Sequence, residues 1–407
     1  MHEPGAGPAR DRRPPVDGGR AVSVTSAQGF RAAGVAAGIK SSGNPDLALV
    51  VNDGPRTAAA GVFTRNKVKA APVLWSEQVL TSGALRAVVL NSGGANACTG
   101  PEGFQVAHAT AERAAELLGC GAVEVAICST GLIGAQLPRD TVLAGVEKAH
   151  GALAAGADAG TAAAGAIMTT DTVAKQADAV SEAGWRVGGM TKGAGMIAPS
   201  MATMLSVLTT DALLDAPELD AALRAAVRVS FDRLDVDGSM STNDTVLLLA
   251  SGASGVRPDP AEFTAAVTDV CRDLARQMQA DAEGVTKRIT VRVTGAATED
   301  EAVVVARTVA RDSLVKTALF GSDANWGRIA AAVGYSDAAV DPDRLDITVN
   351  GVPLCVGGVA AGGRTSVDLS GADILVAVAL GLGEGEGEIL TTDLSHAYVE
   401  ENSAYPS

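Results

Sequence analysis

KGAGMIAPSMATML, Lys192 to Leu205, changes character in its middle. Its first eight residues hold Gly193, Gly195 and Pro199, all of which disfavour helix. From Ala202–Thr203 onward it turns strand-like. It carries no His, Cys or acid, so its chemistry is limited to hydroxyls and Lys192. A Thr thus stands at the first position of a strand, directly behind a Gly-rich loop. What that Thr does decides the fold around it.

An alcohol needs a neighbouring base to act as a nucleophile. The chain offers little histidine to serve as one, since only His2, His108, His150 and His396 exist and all are read as structural or solvated. One solution needs no second side chain. If the chain is cut between Ala202 and Thr203, the new α-amine becomes the base. Its pKa of ~7.7–8.0 leaves roughly a third of it unprotonated near neutral pH, against about a thousandth of ordinary lysines. A Gly-rich, Pro-kinked loop would let the Ala202 carbonyl bend towards the Thr203 hydroxyl. A plain loop-to-strand junction accounts for the same local features.

The rest of the chain bounds the answer. Its 407 residues are about twice a typical domain, enough for a large core or two lobes. It is 47% hydrophobic with mean hydropathy +0.20, so it is globular. With 3% aromatics and 47 glycines, it packs through Ala, Val, Leu and close backbone approach. A net charge of −15 leaves no basic face for nucleic acid and disfavours anionic membranes. Five scattered cysteines without a CxxC pair argue against disulfides or a zinc site, and for a reducing cytoplasm. No apolar run approaches the ~18 residues of a membrane span. Residues 1–20 lack an apolar core and are read as a mobile tail, not a signal peptide.

Alternating strand and helix signals imply an α/β or α+β protein. Leu47–Val51, Ala87–Leu90 and Val125–Cys128 read as buried strands, RITVRVTG and RLDITVNG as half-buried ones. FQVAHATAERAAELLG reads as a helix with Ala107, Ala111, Ala114 and Leu118 inward and Gly119 as its stop. Capping boxes are expected at Asp215–Glu218 and Asp259–Glu262. The second opens a long helix with a stripe of Phe263, Val267, Val270, Cys271, Leu274 and Met278. Glu283 should follow its C-terminus. A lobe boundary is placed near residue 285.

Two motifs are set aside. GLGEGEGE, Gly381 to Glu388, is too acidic to cradle phosphate and reads as a solvated turn. DRLDVDGSMSTND fails the EF-hand pattern, since Arg233 and Asp244 fall where the first and last ligands belong. It reads as a buried polar network near a site. No metal site is expected.

Several stretches together resemble one family: GFRAAGVAAGIK, NSGGANACTG, CSTGLIG, IMTTDT, TKGAGMIAPSMATML, STNDT, LVKTALFGSDANWGRIAAAVGYS and HAYVEENSAYPS. The chain is similar to the ornithine acetyltransferases, the bifunctional ArgJ family of arginine biosynthesis, over roughly residues 22–407. The resemblance implies a layered αββα-type sandwich of the autoproteolytic, N-terminal-nucleophile-like kind, with a smaller C-terminal α/β lobe. It implies self-cleavage into an alpha chain, 21–202, and a beta chain, 203–407, that stay together, usually as α2β2. Acetyl would pass from N-acetylornithine to glutamate through acetyl-Thr203, and in many members also from acetyl-CoA. No other cofactor is implied. Carried over by motif, Thr130 (hydroxyl) and Gly131 (amide) form the oxyanion hole. Thr169, Lys192, Glu283, Asn402 and Ser407 contact substrate, Lys192 facing an α-carboxylate and Glu283 a δ-ammonium. The chain departs from the family at Gly94, usually Asn, at Leu390, usually Trp, and in the acidic GEGEGE run. Rival readings are a related self-processing aminopeptidase, an acetyltransferase paralogue of secondary metabolism and an uncleaved binding protein.

Overall fold

Three runs, Leu47–Asn52, Ala87–Asn91 and Val125–Ser129, are buried at every position, because each is covered on both faces. They lie in the first of three sheets in the computed structural model, which describes residues 22–198 and 204–404. The expected tail, the Ala202–Thr203 cleavage pair and Ser407 lie outside the described residues.

The chain begins β1 (Phe30–Val35), β2 (Leu47–Asn52), β3 (Ala58–Phe63), α1 (Ala71–Val79), β4 (Ala87–Asn91), α2 (Gly100–Leu118), β5 (Val125–Ser129), α3 (Arg139–Gly151) and α4 (Ala157–Ala166). Next come β6 (Lys175–Val180), β7 (Arg186–Lys192), β8 (Leu205–Thr210), α5 (Ala216–Arg228), β9 (Thr245–Ala250) and α6 (Pro260–Ala280). It continues with β10 (Arg288–Ala296), α7 (Glu299–Arg311), α8 (Ser313–Phe320), α9 (Trp326–Gly334), β11 (Asp346–Val349), β12 (Val352–Val356) and β13 (Val359–Ala360). The described part ends with β14 (Asp373–Ala379), β15 (Gly385–Thr392) and α10 (His396–Ala404).

Sheet one is ordered β1-β2-β4-β5, sheet two β3-β9-β8-β7-β6, and sheet three β13-β12-β11-β14-β10-β15. Strand periodicity sorts the faces of sheet two. Leu205 and Val207 of β8, with Leu247 and Leu249 of β9, share a core with sheet one. Leu208, Val246 and Leu248 point the other way, onto Leu219 and Leu223 of α5 and Val270 and Leu274 of α6. On the far side of sheet one, α1 to α4 contribute Trp75, Ala111, Val146 and Ala163. Sheet three has its own cluster, built on Ile289, Val291 and Val376 under α7 and α9. Among the described residues no helix is long and apolar enough to cross a membrane.

Local signals mostly act as their chemistry predicts. Gly119 ends α2 in the left-handed region at φ 66°, and Leu118 is only half-buried. The Asp215–Glu218 box closes reciprocally. The second box does not. Asp259 accepts the amides of Ala261 and Glu262, but the Glu262 carboxylate is taken by the Ser181 hydroxyl at 2.6 Å. The six apolar residues of the α6 stripe are all buried. His150 lies inside the last turn of α3.

The GLGEGEGE run corrects the turn reading, because its second half belongs to β15, paired with β10 from Glu388 opposite Arg292 to Gly385 opposite Ala296. Its glycines let α7 close on the sheet. A Cβ on Gly385 would fall 2.3 Å from the Thr298 carbonyl carbon, and one on Gly387 3.0 Å from the Val303 nitrogen. The intervening Glu386 is exposed.

Candidate active site

Thr130 and Gly131 follow the last residue of β5, and Lys192 ends β7, so the two sheets bring their strand ends together here. Thr130 is buried, and its amide donates to the Asn91 carbonyl at 2.9 Å. Its carbonyl accepts from Gly94 at 3.0 Å, leaving the hydroxyl for the site. The fully buried Lys192 Nζ stands 3.5 Å from the Thr130 Oγ1. Gly131 sits at φ +128°, and a Cβ there would lie 2.5 Å from the Gly94 nitrogen. Only glycine fits, and its amide has no acceptor among the described residues. Gly94 itself faces Leu137, at 2.6 Å from an added Cβ, so the family's Asn would need that leucine to move.

Asp171, absent from the sequence-derived set, is the hub behind Lys192. Its Oδ1 accepts Lys175 Nζ at 2.6 Å and the Gly193 amide at 2.7 Å. Its Oδ2 accepts the Thr169 amide at 3.0 Å and lies 3.8 Å from Lys192 Nζ. Burial alone would raise the Asp171 pKa, but Lys192 and Lys175 overcome it and hold the carboxyl well below its usual range. Burial pushes the Lys192 pKa down, with Asp171 pulling it back up. Thr169 is therefore tied to Lys192 through one buried carboxylate.

Glu283 and Asn402 meet on the other side. Asn402 Nδ2 donates to Glu283 Oε2 at 2.9 Å, so α10 holds the carboxylate. The Ser395 hydroxyl docks α10 on the Gly284 carbonyl at 2.5 Å. Glu283 also lies against Gly195, where a Cβ would come within 2.2 Å of its carboxylate. Its field reaches Lys192 and Asp237.

Both flanks of segment 199–203 are pinned. The Glu283 amide donates to the Ala194 carbonyl at 2.9 Å, and the Ile197 amide to Asp237 Oδ1 at 3.0 Å. Beyond the segment, the Met204 amide donates to Asp244 Oδ1 at 3.2 Å. Asp237 and Asp244 belong to the stretch read as a polar network, and Asp235 beside them accepts from Arg311 at 2.7 Å. Asn243 fastens the sheets together, donating to Ala95 and Ser129 carbonyls at 2.6 and 2.8 Å. None of these acids was singled out by sequence. Their only signal was the density of Asp, Ser and Thr in one stretch.

A hydroxyl and an unfilled amide on one strand end, with a buried cation beside them, are the parts of an acyl-transfer site. The pattern of the ArgJ family matches residues 31–407. An arginine biosynthesis bifunctional protein ArgJ from Mycolicibacterium paratuberculosis is 64% identical over 393 residues, 95% of this chain and 97% of its own. One from Streptomyces coelicolor is 60% identical over 386 residues, 95% of this chain and 100% of its own. A solved ornithine acetyltransferase from Mycobacterium tuberculosis, complexed with ornithine, is 63% identical. It covers 44% of this chain and 96% of its own, with a TM-score of 0.44. The chain belongs to the ArgJ family.

Proposed function

We propose that this ArgJ-family acetyltransferase of arginine biosynthesis cleaves itself between Ala202 and Thr203 and carries acetyl on the Thr203 hydroxyl. N-acetylornithine is the donor and glutamate the acceptor, with acetyl-CoA as a second donor. The alpha and beta chains remain together as α2β2 in the cytoplasm. The frame of helices, sheet, sheet and helices supports the autoproteolytic N-terminal-nucleophile fold, with sheet three as the C-terminal lobe.

One observation carries the reading. Lys192 pairs with Leu205 across β7 and β8 while its Nζ reaches Thr130. Thr203 is two residues from Leu205, and two residues span at most about 7 Å. That covalent tie supports assigning the acyl-carrying hydroxyl of Thr203 to the proposed oxyanion hole.

The chemistry then runs in two halves. The Thr203 α-amine takes the hydroxyl proton as Oγ1 bonds to the acetyl carbon. The carbonyl pair moves onto oxygen, facing the Thr130 hydroxyl and Gly131 amide. The C–N bond breaks, the ornithine nitrogen takes the proton, and acetyl-Thr203 remains. Glutamate's amine reverses the sequence and leaves acetylated. Lys192 is assigned the α-carboxylate shared by both substrates; beside Thr130, its charge also favours the oxyanion. Glu283 is assigned the δ-ammonium, with Asn402 steadying it. Thr169 and Ser407 complete the substrate contacts.

Intact mass and a donor panel test this. Wild type should show a chain starting at Thr203, and Thr203→Ala should stay whole. Acetyl should move from N-acetylornithine to glutamate. Release to water alone would favour an aminopeptidase-like hydrolase. A single intact, fully active chain would sink the self-cleavage reading.

A further inference from the structure

Lys192 is fully buried, yet its ammonium makes a single long hydrogen bond among the described residues, to the Thr130 Oγ1 at 3.5 Å. The only acid in ion-pair contact with it there is Asp171, at 3.8 Å, too far for a hydrogen bond. Asp171 spends its own bonds elsewhere. Oδ1 accepts Lys175 Nζ at 2.6 Å and the Gly193 amide at 2.7 Å, and Oδ2 accepts the Thr169 amide at 3.0 Å. Lys175 opens β6 opposite Thr191, one residue before Lys192, and is also fully buried. Asp281, the residue after α6, holds Lys175 from the other side at 2.7 Å.

An interior ammonium without a counterion gives up its proton. An acid bonded directly to Lys192 would prevent that, but it would also take the N–H donors that a substrate carboxylate needs. The geometry meets both demands. Lys175 and the two amides hold Asp171 at a distance from which its charge acts on Lys192 and its oxygens take no N–H. We propose that Asp171 is the positioning residue of the carboxylate subsite, keeping Lys192 an ammonium while Lys175 keeps Asp171 off it, so that the Lys192 donors are free for the substrate's α-carboxylate. The inference rests on the reading above that Lys192 holds that group. The other charged groups facing Lys192 are Lys175 and Lys40, which oppose its charge, and Glu283 and Asp244. Glu283 is engaged by Asn402, and burial favours the neutral form of Asp244. Asp171, by contrast, is held charged by its two lysines.

The test compares N-acetylornithine with its α-carboxamide, a neutral group of the same shape. The ratio of their kcat/KM values reads the Lys192 charge and cancels groups that act on both compounds alike. Wild type should favour the carboxylate by a constant factor from about pH 6 to about pH 8.5. With Asp171→Asn the preference should match wild type near the acid end and fall about tenfold by the alkaline end, since losing a nearby opposite charge lowers an amine's pKa by roughly 1–3 units. Asp171→Glu should return the profile towards flat. A merely structural role would lower the amount of active enzyme and leave the ratio unchanged at every pH, and that result overturns the proposal. If neither variant yields active enzyme, wild type decides. A constant preference upholds the proposal, and one that fades across the range overturns it. A wild type with no preference for the carboxylate at any pH would fail the Lys192 assignment itself. A preference that Lys192→Met abolishes and Asp171→Asn leaves untouched removes Asp171 alone.

Discussion

At Thr130 the backbone and the side chain have separate roles. The amide and carbonyl stitch the strand end to Asn91 and Gly94, and the hydroxyl is left beside Lys192. Removing only the hydroxyl should therefore leave the fold intact. Thr130→Ala should lower kcat with N-acetylornithine by on the order of 10²–10³, the usual effect of losing one oxyanion donor. Thr130→Ser should keep most of the rate. A loss under tenfold for Ala would remove Thr130 from the oxyanion hole.

Glu283 invites a finer test. If it faces the δ-ammonium, Glu283→Gln should cut acetylation by N-acetylornithine roughly 30-fold or more, because truncating a desolvated charge pair costs ~2–5 kcal/mol. Deacetylation by glutamate, which has no δ-ammonium, should suffer less. Equal losses in both half-reactions would point to a role in orienting Thr203 instead. Motif resemblance could single out Thr130, Lys192 and Glu283. It passed over Asp171, and although the stretch holding Asp237 and Asp244 read as a buried polar network, a density of Asp, Ser and Thr does not say which acid meets which amide. Their burial depends on strand pairings far apart in sequence, such as β8 beside β9.

Among elements, β15 and α7 show what local reading misses. Alternating Gly and Glu carries no apolar signal, so GEGEGE does not read as a strand. Gly385 and Gly387 are explained by the start of α7 and its cap Thr298, some eighty residues earlier, and Gly383 by Ala296 and Ala297 just ahead of that helix. Gly385→Ala should cost about 1–3 kcal/mol through overpacking against the first turn of α7. Urea unfolding would show this, and an unchanged midpoint would mean that the two elements separate freely.

Asp237, which pins Ile197 through its amide, gives the same end of the site a pH dependence. Burial, with Glu283 adding, pushes it up to about 6 from 3.8. Tyr398 and Lys316 are the other ionisable groups acting with it. A raised carboxyl pKa means that the fold holds the proton more tightly than the unfolded chain does. Stability from this group is then full below about pH 4 and lost as the pH rises through about 6. Asp237→Asn keeps an acceptor and removes the charge. It should raise stability near pH 7.5 by about 1–3 kcal/mol, at 1.36 kcal/mol per pKa unit. The gap should close towards pH 4. A gap constant with pH would show that Asp237 is not the group titrating.

Across the whole molecule, sheet two is shared between the two proposed chains. β3, β6 and β7 come before Thr203, and β8 and β9 after it. The ladders Ala58–Phe63 with Thr245–Ala250, and Val187–Lys192 with Leu205–Thr210, would each join one chain to the other. Cut protein should therefore migrate as one species under native conditions and as two on a denaturing gel. Dissociation should coincide with unfolding. Separation in dilute buffer with structure retained would contradict this pairing.

Those two ladders also set a direction in time. In an uncut chain, β7 and β8 are tethered by a short connection, so their pairing is a first-order event whose rate ignores dilution. In a cut molecule the same strands belong to different chains, and their pairing becomes second-order, dependent on how often the halves meet. Denatured precursor should refold at the same rate at any concentration, whereas denatured mature protein should slow as it is diluted. Maturation would then make the molecule easier to form once than to form again.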